Sequence, residues 1–397
     1  MTHTVDAAAR RIAYLDHAAT TPMVPEAVEA MTALLSTTGN ANSLHGSGRE
    51  ARRVVEESRE RIAASIGARP GEVVFTSGGT ESDNLAVKGL FWDRRAQDPE
   101  RVRVLSTGVE HHAVLDPLTW LEDEGGAEVE LLPVDAQGAL VVDALADSIA
   151  RAPATVGLVT VMWANNEVGT LQPVEDVVSL AHRYDIPVHT DAVQAVGAVP
   201  VDFAAGDLDA LTLTAHKLGG PYGVGALVVR RDLSATPLLH GGGQERGIRA
   251  GTIDVPAIAG FAAAVELAVK RRTEHAERMA ALRDDLVSRV LVEVPDARLN
   301  GNPVDRLPGN AHLSFPGCEG DSLLMLLDHR GIECSTGSAC SAGVPQPSHV
   351  LLAMNVPETL ARGSLRFSFG HTSTADDVDA VAAAIGPVVE RARAARR

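Results

Sequence analysis

Short apolar runs, rich in β-branched residues, alternate with longer amphipathic segments between about residues 70 and 230. The apolar runs predict strands at 73–77, 102–107, 129–132, 156–161, 187–191, 211–215 and 226–230. Most of the intervening segments show helical periodicity, which predicts helices at 81–97, 112–124, 141–151 and 174–184. This alternation is typical of an α/β fold with a mostly parallel sheet flanked by helices. Only a glycine-rich loop separates the last two strands, so the sheet is predicted to be mixed.

The remainder of the chain has a different pattern. Residues 255–292 carry one long helical pattern rich in Ala, Glu and Arg, of a kind that links domains. Strands near 310–315 and 363–369 and helices near 320–330 and 375–395 follow. A length of 397 residues is sufficient for two domains. We therefore predict a large cofactor-binding domain over 21–255 and a smaller α+β domain formed by 1–20 and 256–397.

The number of cysteines and the N-terminal residues indicate the cellular compartment of the protein. Three cysteines, an odd number, do not form a disulfide framework and favour a reducing compartment. Asp6, Arg10 and Arg11 lie near the start with no apolar run behind them, so no secretory leader is expected. No apolar stretch approaches the roughly 18 residues of a membrane span. We expect a cytoplasmic protein without a membrane partner.

Net charge and aromatic content exclude another class of function. The formal charge is −17, from 35 basic and 52 acidic residues, and this opposes attraction to phosphate backbones. Aromatic residues make up only 3% of the chain, too few for base-stacking surfaces. Direct binding of nucleic acid is not expected.

Lysine is rare in this chain, and one lysine is placed for chemistry. Of the 35 basic residues, only three are lysines: Lys88, Lys217 and Lys270. Arg can replace a solvated positive charge but not an amine nucleophile. Lys217 follows a predicted strand and precedes a glycine-rich loop, where desolvation favours a neutral amine able to form a Schiff base. The alternative is a structural lysine.

Two further motifs lie at predicted strand ends. Residues 77–84, Ser-Gly-Gly-Thr-Glu-Ser-Asp-Asn, follow a strand and open a helix, an arrangement that suits a phosphate; an ordinary capped turn is the alternative. Asp191 ends a strand, where ligands of open α/β sheets bind, although a helix cap is possible too. A phosphate-binding turn, a carboxylate and a reactive amine are together the groups that a protein uses to bind pyridoxal phosphate.

The remaining candidates are histidines and cysteines. Glu110-His111-His112, together with His189 and Asp191, could suggest a metal site. The side chains of adjacent histidines point away from each other in a strand, and the sequence offers no His-x-x-x-His pair on a helix as metal ligands. No metal is therefore expected.

The three cysteines divide into two kinds. Cys318 and Cys334 are predicted to be buried small hydrophobes. Cys340 lies in a run of small residues, 335–343, which suits an exposed thiol that travels to a reaction centre. A linker that happens to contain Cys is the alternative.

The chain resembles the cysteine desulfurases, pyridoxal-phosphate enzymes of the fold-type I, class V aminotransferase group. The resemblance runs nearly end to end, from Tyr14-Leu15-Asp16-His17 to Arg366-Phe367-Ser368-Phe369-Gly370. Between these ends it rests on the motifs GNANSLH, SGGTESDN, EHHAVL, NNEVG, HTDAVQ, AHKLGGP, GGGQERGIRAGT and GSACSAG. It implies the fold-type I architecture, with a large domain and a smaller C-terminal α+β domain.

The resemblance also implies a role for each matching residue. Lys217 would tether pyridoxal 5'-phosphate and shuttle protons, His111 would stack on its ring, and Asp191 would pair with the ring nitrogen. Gln194 would bind the phenolic oxygen, and Asn166 and Arg366 the substrate carboxylate. The implied phosphate ligands are Gly79, Thr80, Thr214 and His216, with Thr252 reaching the phosphate in the partner subunit. Thr214 stands where Ser is usual.

The implied reaction converts L-cysteine to L-alanine, and the thiolate of Cys340 takes the sulfur as a persulfide. The long loop around Cys340 resembles that of the group serving iron–sulfur cluster assembly, which implies that sulfur passes to acceptor or iron–sulfur scaffold proteins, or to thiolation pathways. The fold of the family implies a homodimer with active sites at the subunit interface. Two alternatives remain open. One is another class V enzyme, such as a selenocysteine lyase or an aminotransferase, and the other is a non-catalytic sulfur-relay scaffold.

Overall fold

A computed structural model describes residues 11–337 and 346–395. The elements of its first part, in chain order, are β1 (Ala13–Tyr14), α1 (Pro25–Thr32), α2 (Gly46–Ser65), β2 (Val73–Thr76), α3 (Gly79–Asn84), α4 (Phe91–Gln97), β3 (Arg103–Thr107), α5 (His112–Asp123), β4 (Glu128–Leu132), α6 (Val142–Arg151), β5 (Val156–Thr160), α7 (Val174–His182), β6 (Val188–Asp191), β7 (Ala210–Thr214) and β8 (Gly225–Val229). A π-helical turn, Leu85–Leu90, joins α3 to α4. Helices α1 and α2 lie where the pattern predicted no element.

Seven of these strands form one sheet in the order β2-β8-β7-β6-β5-β3-β4. The pairs among β3 to β7 are parallel, whereas β8 is antiparallel to both β2 and β7. Strands β5, β6 and β7 are buried along their whole length, which explains why they read as continuous apolar runs in the sequence. The predicted mixed, mostly parallel sheet is confirmed, and so are its seven strands.

The second part of the chain forms a smaller α+β unit. Its elements are α8 (Val255–Lys270), α9 (Arg272–Glu293), β9 (Arg298–Asn300), β10 (Asn310–Ser314), α10 (Gly320–Asp328), β11 (Ile332–Glu333), α11 (His349–Ala353), α12 (Glu358–Ala361), β12 (Ser364–Ser368) and α13 (Ala375–Ala395). Strands β12, β10 and β9 form an antiparallel sheet, and β11 pairs in parallel with β1 at the other end of the chain.

The helical pattern over 255–292 is confirmed, but the structure divides it into two helices that separate at Arg271. They divide because they pack in different cores. Phe261 of α8 lies in the core of the large sheet, whereas Leu286 of α9 lies with the side chains of the smaller unit. The domain boundary near residue 255 stays a prediction; the packing of α8 favours a division at Arg271.

The described helices include none that is long and apolar enough to cross a lipid bilayer.

The N-terminal strand links the two parts of the molecule. Residues Ala13 and Tyr14 pair with Ile332 and Glu333 of the smaller unit. The chain then continues past Ser368, with which Asp16 forms a β-bridge, towards the carboxyl ends of the large sheet's strands. The smaller unit therefore holds the segment after β1 where this segment crosses the carboxyl ends of the strands of the large sheet.

Gly225 allows the backbones of neighbouring segments to approach closely at this end of the sheet. A Cβ atom at Gly225 would lie 2.8 Å from the Cα of Gly78 and 2.9 Å from the carbonyl oxygen of Leu213. We predict that Gly225→Ala lowers the free energy of unfolding by about 1–3 kcal/mol, because both neighbours are backbone atoms that must shift. Denaturant unfolding measures this. At Gly46 a Cβ would meet nothing within 4 Å, so Gly46→Ala is the matched control; equal stability of the two variants would contradict the prediction.

Candidate active site

The glycine-rich turn after β2 has the shape of an anion cradle. Gly78 has a φ of 153°, a conformation that side chains rarely adopt. A Cβ atom added at Gly79 would lie 3.2 Å from Cγ2 of Val193, so the space beside this backbone depends on glycine. Thr80 is exposed. The carboxylate of Glu81 accepts a hydrogen bond from the backbone N–H of Ser77 at 2.7 Å, which fixes the turn from behind.

Lys217 lies at the end of β7, in the 3₁₀ turn Ala215–Lys217. Its Nζ donates hydrogen bonds to the carbonyl oxygens of Ala18 at 2.5 Å and Ala19 at 2.7 Å. Burial lowers the pKa of Lys217 to about 8; the charge of Arg366 acts in the same direction, and nearby carboxylates oppose it. A substantial fraction of this amine is therefore neutral near physiological pH, as a nucleophilic amine requires.

Asp191 ends β6, next to β7 in the sheet, and is 7% exposed. Its Oδ1 accepts a hydrogen bond from the backbone N–H of Val193 at 2.9 Å. Burial raises the pKa of Asp191 to about 6, while this hydrogen bond and the positive charge of Lys217 act in the opposite direction. The carboxylate is thus mostly ionised at neutral pH and is close enough to Lys217 to interact with its charge.

Two histidines flank this amine. The Nδ1 atom of His111 caps helix α5 by accepting a hydrogen bond from the N–H of Ala113 at 3.0 Å, which leaves the proton of the neutral ring on Nε2. Desolvation by the surrounding protein and the charge of Lys217 lower the pKa of His111 to about 4, although the residue keeps contact with solvent. His216 stacks on Tyr222 with 5.8 Å between ring centroids, and burial lowers its pKa to about 4.

Two polar residues near these groups hold backbone carbonyls. Gln194 donates from Nε2 to the carbonyl oxygen of Ala18 at 2.9 Å, the same oxygen that accepts from Lys217. The hydroxyl of Thr214 donates to the carbonyl oxygen of Val224 at 3.3 Å. Five of the residues singled out in the sequence, Lys217, Asp191, Gln194, Thr214 and His216, thus lie at the carboxyl ends of β6 and β7.

Arg366 supplies a buried positive charge from the smaller unit. It is 4% exposed, and its Nη2 pairs with Oδ1 of Asp16 at 2.7 Å. Its Nη1 donates to the backbone carbonyl of Asn166 at 3.0 Å. Within the described ranges its Nε is buried without a hydrogen-bond partner. Asp16 is a site residue that the sequence reasoning missed, although it lies inside one of the quoted motifs.

Cys340 lies outside the described residues, but both flanks of its segment are described. Before it, Ser335 exchanges two backbone hydrogen bonds with Arg366, at 2.7 and 3.1 Å. After it, the hydroxyl of Ser348 donates to Oε2 of Glu167 at 2.5 Å, next to Asn166. The two ends of the segment that carries Cys340 are therefore attached beside the residues expected to bind substrate. Cys318 and Cys334 are buried, as predicted.

Thr252 is not brought to this cluster within the chain. It is exposed, and among the described residues no side-chain hydrogen bond or ion pair connects it to another residue. Two ion pairs attach the preceding loop to the rest of the chain, Glu245 with Arg59 at 2.7 Å and Arg249 with Glu81 at 2.8 Å.

Several buried acids near the cluster were not identified from the sequence as site residues. Glu110 is fully buried and accepts hydrogen bonds from Thr107 and from the N–H of Met162, and burial raises its pKa to about 8. Asp83 is 1% exposed. The sequence signal that could have identified Glu110 and Asp83 is their position in motifs from which neighbouring residues were predicted to belong to the site. In the described part of the chain, no group of three or more His, Cys, Asp or Glu side chains is arranged to hold a metal ion.

Comparison with known proteins places this fold and site in one class. Residues 13–381 match the family described as Aminotransferase class-V. An "IscS-like cysteine desulfurase" of Mycobacterium tuberculosis is 57% identical over 97% of this chain and 98% of its own length. A solved "NIFS-LIKE PROTEIN" superimposes with a TM-score of 0.88 at 35% identity, covering 96% of this chain and all of that one. The solved "SspA in complex with cysteine" gives a TM-score of 0.79 at 33% identity, covering 91% and 99% of the two chains.

The chain therefore belongs to the class-V aminotransferase family, and within it to the cysteine desulfurases. The fold is fold-type I, and the cofactor is pyridoxal 5'-phosphate, as the resemblance implied. The residues present fit this group: an amine of lowered pKa at Lys217, a buried carboxylate at Asp191, and a cradle at Gly79 that a Cβ atom would narrow.

The charges around Lys217 make a testable prediction about its titration. We expect the apoprotein amine to react with an amine-labelling reagent with a pH midpoint of about 8, because burial favours the neutral form. Arg366→Gln removes a positive charge and should move the midpoint upward, whereas Asp16→Asn removes a negative charge and should move it downward. Mass spectrometry of the labelled peptide gives the midpoint, and the exposed Lys270 is the internal control. Shifts of the same sign in both variants would contradict this account.

Proposed function

We propose that this chain is a cysteine desulfurase that converts L-cysteine to L-alanine and transfers the sulfur to Cys340. The observation that carries the proposal is the placement of the Lys217 amine and the Asp191 carboxylate at adjacent strand ends, with the flanks of the Cys340 segment attached at Arg366 and Glu167. The desulfurase relative and the solved relative in complex with cysteine support this substrate.

The proposed cofactor contacts use the geometry at the ends of β6 and β7. Asp191, ionised at neutral pH, would hold the ring nitrogen in its protonated form, and the neutral His111 would lie against the ring. Gln194 would bind the phenolic oxygen. The phosphate would be held by Gly79, Thr80, Thr214 and His216. When bound, pyridoxal 5'-phosphate withdraws electrons from the substrate α-carbon and thereby labilises its bonds.

Substrate binding would use Arg366 and Asn166. The guanidinium of Arg366 is fixed by Asp16 and has an unpartnered Nε, so it retains hydrogen-bonding capacity for a carboxylate. The Nζ of Lys217 would take the proton from the substrate α-carbon and return it later, which is efficient for a base whose pKa is about 8.

Sulfur transfer would be the task of Cys340. Its thiolate attacks the sulfur of the bound cysteine, a sulfur–sulfur bond forms, and the carbon–sulfur bond of the substrate breaks. The electrons of the broken bond remain on the carbon, which gains a proton and leaves as L-alanine. The thiolate is required because the thiol is a poor nucleophile. The sulfur is then available to acceptor proteins such as iron–sulfur scaffolds.

A homodimer is the assembly we propose. The chain presents Thr252 on an exposed loop, and Tyr222, stacked on His216 at the site, is 69% exposed. A second subunit would cover this aromatic ring and receive Thr252 at its phosphate. The cytoplasmic location and the domain limits stay predictions.

Substitutions of Cys340 and Lys217 distinguish this proposal from its alternatives. With L-cysteine and a reductant, we expect Cys340→Ser to lower alanine and sulfide formation together by about a hundredfold or more, since the attacking thiolate is lost. Cys334→Ser, at a buried thiol outside the proposed chemistry, is the control. Unchanged alanine formation in Cys340→Ser would favour another class V enzyme.

A second variant tests for a catalytically inactive scaffold. Lys217→Ala should lose the absorbance band of the attached cofactor together with activity, because no other described residue offers an amine at this position. Wild-type protein that stays colourless after incubation with the cofactor would favour a sulfur-relay scaffold and contradict the proposal.

Contact across the dimer gives a separate prediction. Thr252→Val should leave the dimer intact in analytical ultracentrifugation but weaken cofactor binding about tenfold to a hundredfold, the loss of one hydrogen bond to a charged group. The same variant at Thr372, a residue of the smaller unit, is the control. A monomeric wild-type protein, or an unchanged cofactor Kd in Thr252→Val, would contradict the proposed role of Thr252.

A further inference from the structure

A row of buried polar side chains crosses the sheet beneath Asp191. His189 lies two residues before Asp191 in β6, so both side chains emerge on the same face of the sheet. The Nδ1 of His189 lies 2.9 Å from Oγ1 of Thr160 in β5, and its Nε2 lies 3.0 Å from Oγ1 of Thr212 in β7. Thr212 is also the register partner of Asp191. The row therefore spans three adjacent strands directly under the proposed ring contact.

Asp83 ends this row on the side of helix α3, which starts at the glycine-rich cradle. The residue is 1% exposed, and a hydrogen bond joins its carboxyl group to the hydroxyl group of Thr212. Its Oδ1 lies 3.7 Å from Nε2 of His189 and, in the part of the chain described, has no hydrogen-bond partner. A buried carboxylate with an unpartnered oxygen is costly, so the charge of this group decides what it can do.

The surroundings of Asp83 favour its protonated form. The titratable groups that face it are His189, Asp191 and Glu110. Burial lowers the pKa of His189 to about 3, so this ring is neutral and the contact is not an ion pair. Burial and the negative charge of Asp191 raise the pKa of Asp83. Ionisation of Asp191 disfavours ionisation of Asp83, so the pair favours a state that keeps one proton.

The geometry also decides which of the two carboxyl groups keeps that proton. Asp191 accepts a backbone hydrogen bond from Val193 at 2.9 Å and interacts with the charge of Lys217. Asp83 has a neutral imidazole nitrogen beside its free oxygen. With the His189 proton on Nδ1, facing Thr160, the Nε2 atom accepts from the hydroxyl of Thr212 at 3.0 Å, and the oxygen of Thr212 is then free to accept an O–H of Asp83.

We propose that Asp83 is a positioning residue for Asp191, an uncharged carboxylic acid that donates to Thr212 and leaves the negative charge of the pair on Asp191. This inference rests on the proposed contact of Asp191 with the cofactor ring. It assigns a role to a side chain that does not reach the cleft, and a neutral acid lowers the cost of burying a carboxyl oxygen that has no hydrogen-bond partner among the described residues.

Infrared spectroscopy tests the charge state directly. At pH 7, wild-type apoprotein should show the C=O stretch of a protonated carboxylic acid, and part of this band should disappear in Asp83→Asn. Glu110→Gln should remove a separate part, since the pKa of Glu110 is about 8. Asp147→Asn, an exposed position on α6, should change nothing in this region. A band identical in wild type and Asp83→Asn would mean that Asp83 is ionised and would overturn the proposal.

The pH dependence of stability gives a second test with a definite sign. Wild type should lose stability relative to Asp83→Asn as the pH rises above about 4, the ordinary pKa of Asp, because the unfolded chain releases a proton that the folded chain keeps. Thermal unfolding between pH 5 and pH 8 should therefore show a growing advantage for Asp83→Asn. A growing advantage for wild type instead would indicate a stabilising charged Asp83.

Cofactor binding tests the positioning role. Asparagine keeps a neutral donor, so Asp83→Asn should bind pyridoxal 5'-phosphate with a Kd within threefold of wild type at pH 7. Asp83→Leu removes the donor and should raise the Kd at least tenfold, and shift the pH midpoint of the bound cofactor's absorbance by at least half a unit. Thr212→Val, which interrupts the same row with little change in shape, should shift that midpoint too if the leucine variant fails to fold.

The outcomes separate this inference from the proposed function. A tenfold higher Kd in Asp83→Asn would overturn the neutral state, and unchanged Kd and midpoint in a folded Asp83→Leu, or in Thr212→Val if Asp83→Leu is unfolded, would overturn the positioning role. If instead Asp191→Asn binds the cofactor as wild type does, the proposed ring contact itself fails, whatever the Asp83 variants show.

Discussion

Removal of the Lys217 amine from bulk water is the physical constraint on which the rest of this site depends. The amine is enclosed because the segment after β1 crosses the carboxyl ends of β6 and β7 and offers the carbonyl groups of Ala18 and Ala19 to Nζ. Two carbonyl acceptors satisfy hydrogen bonds without adding a full negative charge, so desolvation prevails and the pKa of Lys217 falls to about 8. A carboxylate in their place would have kept the amine protonated.

The enclosure is a property of the whole chain rather than of one loop. Strand β1 is paired with β11 of the smaller unit, and Asp16 is bound to Arg366 on β12. The same Arg366 donates to the carbonyl of Asn166 and is paired through its backbone with Ser335, just before the segment of Cys340. Movement of the smaller unit would therefore act at once on the amine, on the proposed substrate contact and on the base of the cysteine segment.

Much of this arrangement was predictable from the sequence, for a physical reason. Strands buried on both faces appear as apolar runs, and residues at their carboxyl ends face a common edge, so Lys217 and Asp191 could be placed together. Asp16, Asp83 and Glu110 were missed although each lies inside a quoted motif, because an acidic residue in a sequence gives no sign of its burial. The break at Arg271 was missed because the helical pattern continues across it, while the two helices join different cores.

The buried acids also bear on how an acidic chain accommodates anions. The chain carries a formal charge of −17, yet the proposed ligands bring a phosphate and a carboxylate to one cleft. Counting Asp16, Asp83, Glu110 and Asp191 as full charges would make the surroundings of Lys217 and Arg366 net negative. Burial raises the pKa of Glu110 to about 8, so this group is mainly neutral at pH 7. Burial also raises the pKa of Asp83, the group that we propose to be neutral. The remaining carboxylates each have a cationic neighbour, Asp16 with Arg366 and Asp191 with Lys217. Protonation of Glu110 and Asp83 removes two negative charges from the surroundings of Lys217 and Arg366, which favours the binding of anionic ligands.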